Sequence, residues 1–357
     1  MKKFFLSLVA IMFATMSYAQ IMLVSTLQHE ETFTHFYGTG ALSSAYNAAV
    51  AGDTITLSGG SFTFTGNFEK GVTVRGTGVK SDQPTILISE MKFYSNDKDL
   101  TTTFEGVQFN PNVYFYNQTS EKGHGKLNFI KCFFNGEVKA SYANPTPTEN
   151  GPATRFTNCV LANKTYFDAY SNPYFMFFNC YVYSPYCSSN IKTNLTMFEN
   201  CVINYRYNVM GTYSGAYSFV PNSNYAYNLS FYNSIFIFDT KSIANDGLPS
   251  TATAQNCLSI NYSTCFDNII DKETNKYSND ISEIFKTYIS GYDTEDNFAL
   301  TEAAAATYLG TDGTEIGVNG GHNPFTQVVQ YPVISTLKAN QTTKEGILNV
   351  EVGVDGQ

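Results

Sequence analysis

The amino-acid sequence predicts an all-β, single-domain right-handed parallel β-helix with a short N-terminal capping helix and a C-terminal β tail. Three observations lead there. A short phrase recurs along the chain. Aromatic residues are abundant, with 26 Tyr and 29 Phe, while charged residues make up only 14%. Long amphipathic helical patterns are nearly absent. Such usage suits strands and turns.

The chain opens with Lys2 and Lys3, an apolar run from Phe4 to Met16, and the small-residue site Ser17-Tyr18-Ala19. Residues 1–19 therefore read as a secretory signal peptide, and the mature chain as secreted to the periplasm, cell surface or exterior. No later run approaches the roughly 20 apolar residues of a membrane helix, so the chain is not expected to span a membrane. With a formal charge of −9 and only Arg75, Arg155 and Arg206 as arginines, it lacks the basic face that nucleic acid requires.

Residues 20–330 read as the β-helix with its cap. The recurring phrase is apolar, any, Asn, small, any, apolar, as in Phe156-Thr157-Asn158-Cys159-Val160-Leu161, Phe177 to Val182 and Phe198 to Ile203. Weaker copies begin at Phe104, Phe129, Phe231 and Ala254. The small-residue slot falls at 107, 132, 159, 180, 201, 234 and 257, so one step of 21 to 33 residues is one coil. Alternation puts Phe156, Cys159 and Leu161 on one face only if the period breaks at Asn158. Asn tolerates the left-handed backbone such a bend needs, and Gly106 stands there in the first copy. Stacked coils about 4.8 Å apart bury what a lone coil cannot. Asp53 to Gly320 would supply about eleven of them. Residues 331–357, with apolar alternation at Val350, Val352 and Val354, read as a hairpin tail.

On these residues the chain resembles the pectate-lyase-like (pectin lyase) superfamily of secreted β-helices. Ala41 to Leu57 looks like that family's capping helix running into the first strand, with Leu42, Ala45, Tyr46 and Ala49 on one helical face. Gly310 to Gly321 is similar to the closing turn of bacterial secreted β-helices. The resemblance implies lyases that abstract a proton with Arg or Lys beside a calcium-bound uronate, or hydrolases with paired aspartates, Gly-His-Gly and Arg-x-Lys. The sequence departs from both. Glu105 and Glu199 are the only carboxylates in the outward row after the inward Phe, and they lie four coils apart, about 19 Å, too far to share a calcium. Arg155 has no acid or base above or below it in its row. Gly123-His124-Gly125 stands without the aspartate pair, so His124 reads as a turn residue. No catalytic residue, metal or cofactor is expected.

Cys132, Cys159, Cys180, Cys201 and Cys257 share the inward slot with Val107 and Ser234, which marks them as packing residues. Cys187 and Cys265 lie outside the ladder and are free to pair with each other. Half of the tyrosines fall between Tyr166 and Tyr232. A flat apolar ring with a hydroxyl suits stacking on sugars. Tyr166, Asp168, Tyr170, Tyr205, Arg206 and Tyr207 are the candidate carbohydrate-binding residues. The expectation is a non-catalytic glycan-binding or surface interaction protein whose partner is a polysaccharide or surface glycan. The alternative is a polysaccharide lyase or glycoside hydrolase acting on acidic polysaccharide.

The outward row after the ladder slot (Gln108, Phe133, Val160, Tyr181, Val202, Ile235, Leu258) is apolar at six of seven coils and needs a cover. The C-terminal hairpin, the loops after these strands, or self-association through the row would supply it. Because no carboxylate cluster is expected, added calcium or chelator should leave the melting temperature unchanged. A rise of many degrees with calcium would reveal a site the sequence hides.

Overall fold

The computed structural model describes residues 22–94, 97, 99–115, 125–139, 153–166, 174–183, 185–186, 195–205, 228–238, 248, 250–288, 292, 298–329, 333–339 and 350–355. The proposed signal peptide, His124 and Cys187 lie outside them. The chain winds into a parallel β-solenoid with three sheets. An eleven-stranded sheet runs from the antiparallel hairpin of β1 (Val24–His29) and β2 (Thr32–Tyr37) through β3 (Thr54–Leu57), and every later pairing in it is parallel. A ten-stranded sheet runs from Gly60–Phe62 to Lys276–Ser278. The third sheet has five strands of two residues each, from Met91–Lys92 to Pro185–Tyr186.

The bend between the first two sheets sits where the sequence placed it. Asn158, Asn179, Asn200, Asn233 and Asn256 have φ between 50° and 53°, and Lys131 and Gly106 take the same left-handed conformation in the earlier coils. A Cβ there ordinarily costs about 1–2 kcal/mol, and Asn is among the residues that visit the region routinely. The bend faces both neighbouring coils. Asn158 N–H donates to Phe178 O on the next coil, and Val160 N–H donates to Cys132 O on the previous one, each at 3.0 Å. The same two bonds recur at Asn179/Tyr181 and Asn200/Val202. In-register stacking follows: the Phe156–Phe177 and Phe177–Phe198 ring centroids lie 4.7 Å apart with planes 2° and 6° from parallel.

The five ladder cysteines are fully buried and free, and each thiol donates to the carbonyl two residues back, as Cys180 does to Phe178 O at 3.2 Å. Cys265 is also free and buried. Its possible pairing with Cys187 is therefore not seen.

Two expectations about the C-terminal third need correction. The coils end with Lys276–Ser278, earlier than Gly320, and it is described residues between Ile281 and Phe325, ahead of the hairpin tail, that pack on the outward apolar row. That segment carries α2 (Ile281–Ile284) and α3 (Glu302–Thr307). It sets Ile284, Phe285, Phe298, Leu300, Ala304, Ile316 and Val318 against Val160, Tyr181, Val202, Ile235 and Leu258. Tyr181 stacks on Phe298 at 4.8 Å. With these row residues fully buried, the row offers no surface for self-association, which corrects that expectation.

The returning segment is pinned by the bends themselves. Asn179 Nδ2 donates to Val318 O (2.9 Å) and Gly320 O (2.7 Å), Thr311 N–H donates to Asn233 Oδ1 (3.0 Å), and Lys131 Nζ donates to Val328 O (2.6 Å). The approach is close enough to require glycine: at Gly321, with φ +75°, a Cβ would meet Asn200 Nδ2. The tail strands Val333–Ala339 and Val350–Asp355 form an antiparallel pair.

At the N-terminal end a helix, α1 (Ala41–Ala48), buries Leu42, Ala45 and Tyr46 against β1, β2 and β3. Lys70 Nζ donates to the carbonyls of Tyr46, Asn47 and Ala49 at its C-terminus, where a cation complements the helix dipole. Half-exposed His29 bonds the buried Asp53 carboxylate at 2.7 Å.

Two outcomes follow from these contacts. Burial pushes the Cys132, Cys159 and Cys180 thiols well up, and Cys257 to about 12, so few thiolates exist to react. A thiol reagent should leave the ladder unlabelled until the protein unfolds, and rapid labelling of the native state would contradict the packing role. The bond to Asp53 raises His29 above its ordinary 6.5. Burial pushes Asp53 up, but the Val50 N–H and His29 outweigh it, so it ends below 3.8. The imidazole contributes stability below 6.5 that is lost as pH rises through its raised value, and the carboxylate contributes above 3.8. His29→Ala should therefore lower the melting temperature more at about pH 5.5 than at about pH 9. An equal deficit at both would show the pair to be silent.

Candidate functional site

The third sheet builds a surface array from two-residue strands. In the first four, the first residue points inward and the second outward, as alternation requires. Met91, Val113, Val138 and Thr165 are buried, and Lys92, Tyr114, Lys139 and Tyr166 face out, half-buried. Parallel pairing stacks the outward residues in one row, Lys92–Tyr114–Lys139–Tyr166. Neighbours are one coil apart, about 4.8 Å between backbones.

Side-chain contacts tie the row together. The Lys139 ammonium lies 5.6 Å from the Tyr114 ring centroid and 5.9 Å from that of Tyr166, between the two rings. It pairs with Glu137 Oε2 at 2.8 Å, and that bond raises its pKa. The Tyr166 hydroxyl donates to Glu137 Oε1 at 3.3 Å, so one carboxylate fixes both a cation and a ring. One coil earlier the Tyr114 hydroxyl donates to Glu90 Oε1 at 3.2 Å and accepts from Asn112 Nδ2 at 3.4 Å. Asn112 Oδ1 in turn accepts from the Glu137 N–H at 2.9 Å. The rings are thus held by their hydroxyl ends, and the row offers aromatic surface flanked by donors and acceptors.

Of the six residues predicted from sequence, Tyr166 belongs to this array. Tyr205 ends the strand Val202–Tyr205 of the second sheet, where it pairs with Phe238, so the structure does not bring it to Tyr166. Asp168, Tyr170, Arg206 and Tyr207 lie outside the described residues. Sequence reading does not reach Tyr114, Glu137 or Lys139. A signal exists nonetheless: the outward residue follows the ladder slot by seven positions at Tyr114, Lys139 and Tyr166.

Elsewhere, Glu105 and Glu199 remain four coils apart in the register, and Arg75 approaches Glu105 at 3.6 Å. Arg155 lies over the Phe178 ring at 4.3 Å. Among the described residues, no three His, Cys, Asp or Glu side chains gather as a metal site would require, and no helix is long and apolar enough to cross a membrane.

No family model, curated protein or solved structure matches this chain.

Proposed function

We propose that this is an exported, non-catalytic glycan-binding protein, a right-handed β-helix related to the pectate-lyase-like superfamily, whose third sheet holds a polysaccharide along the solenoid axis. The in-register row Tyr114–Lys139–Tyr166 carries this reading. Its rings recur at every second coil, about 9.6 Å apart, in the direction a linear chain of sugars would take. A sugar ring presents apolar C–H faces and a rim of hydroxyls. The tyrosine rings suit the faces, and Glu90, Glu137, Lys139 and Asn112 suit the rim. Because the carboxylates and the ammonium are already bonded to the rings, little side-chain freedom is left to lose on binding, which favours affinity.

Affinity electrophoresis against a panel of soluble polysaccharides tests the reading. At least one should retard the protein. Tyr114→Ala and Tyr166→Ala should each weaken that retardation about two- to twelve-fold, the equivalent of about 0.5–1.5 kcal/mol per aromatic contact, with the melting temperature little changed. Retardation untouched by either substitution would place the glycan site elsewhere. Release of unsaturated uronate from any member of the panel would make the protein a lyase.

A further inference from the structure

Among the described residues, the N-terminal hairpin leaves the outer edge of β2 without a partner strand. β2 is the outermost strand of the eleven-stranded sheet, and five of its six residues are exposed. A bare strand edge presents N–H and C=O groups ready to pair with another strand, and soluble proteins blunt such edges with Lys, Pro or a bulge. Thr32-Phe33-Thr34-His35-Phe36-Tyr37 contains no Lys and no Pro, and it pairs with β1 in unbroken register. Phe33 and Tyr37 are 60% and 63% exposed, and Met22 beside the hairpin 67%.

We propose that this edge is the interface of a two-fold homodimer, in which β2 pairs antiparallel with β2 of a second copy. The strand's own pattern selects that occupant. Phe33, His35 and Tyr37 share one face, because side chains alternate. A two-fold axis at His35 sets Phe33 opposite Tyr37 of the second copy, and by symmetry Tyr37 opposite Phe33. Two aromatic cross-strand pairs form, a favourable kind of pairing.

The same register satisfies a charge requirement. It carries the Glu30–Glu31 turn of one copy towards Thr39 and Gly40 of the other. Gly40 is the N-cap of α1; no side chain caps that helix, and its first turn holds no acidic residue. The Ala41 N–H is taken by Gly38 O, and the positive dipole end beyond it favours a carboxylate. Elsewhere a chain of net charge −9 repels its own copy. β2 carries no acidic residue, so the approach is least opposed there.

Sedimentation velocity between about 1 and 100 μM should show the mass doubling with concentration. The double variant Phe33→Lys/Tyr37→Lys should stay monomeric throughout with an unchanged melting curve, since both side chains are exposed. The register has its own test, which does not depend on that variant. Directly opposed residues in an antiparallel pair stand about 5.5 Å apart at Cα, within disulfide reach. His35→Cys should therefore cross-link to a dimer on oxidation, with the unsubstituted protein as the uncross-linked control. A monomeric unsubstituted protein, a dimer that survives the lysines, or a His35→Cys dimer that does not cross-link would overturn the proposal.

Discussion

The rest of the structure depends on one backbone conformation, the left-handed residue between the first and second sheets. It turns the chain sharply enough for the Phe before it and the small residue after it both to point inward. It also aims its N–H at one neighbouring coil while the residue two places on bonds the other. Because those bonds are repeated at Asn158, Asn179, Asn200 and Asn233, coil is locked to coil in register, and register decides everything outward. The stacked Phe rings, the buried thiols and the surface row on the third sheet are consequences of the same alignment.

Asn serves this bend in a way that Gly would not. Gly106 holds the left-handed conformation with less strain, yet it has no side chain to offer. The Asn amides reach outward and take hold of the returning segment, as Asn179 does with the carbonyls of Val318 and Gly320. At Asn179 and Asn233 one side chain thus serves the bend and also fastens the cover over the apolar outer row. Lys131 makes a corresponding contact two coils earlier, its Nζ donating to Val328 O from the same left-handed φ.

The solenoid and its bends are legible in the sequence because they repeat: a fixed phrase at coil spacing specifies conformation, facing and stacking together. The cover over the apolar row is not, because residues 281–329 carry no period, and their partners lie about 140 positions away along the chain. The need for a cover could be read from the run of apolar residues, whereas its identity could not. For the site, Tyr166 was legible as a tyrosine in an aromatic-rich stretch. Tyr114, Lys139 and Glu137 were not, because strands of two residues are too short to show alternation. Tyr205 belongs to the same aromatic-rich stretch, but register assigns it to another sheet.

A site on such a scaffold differs in kind from one in a pocket. Its residues come from equivalent positions on successive coils, so their spacing is fixed by backbone hydrogen bonding, with no dependence on loop conformation. What varies between coils is only the side chain. On the third sheet that variation alternates cation and ring, and Glu137 joins the two kinds through its two oxygens. Removing that carboxylate would take the bonded counter-charge from the Lys139 ammonium and one acceptor from the Tyr166 hydroxyl, while Tyr114 would keep its bonds to Glu90 and Asn112. The order of the row therefore rests on a single buried bend repeated beneath it and on one carboxylate at the surface, and the two act at different levels: the bend fixes where each side chain starts, and the carboxylate fixes where it ends.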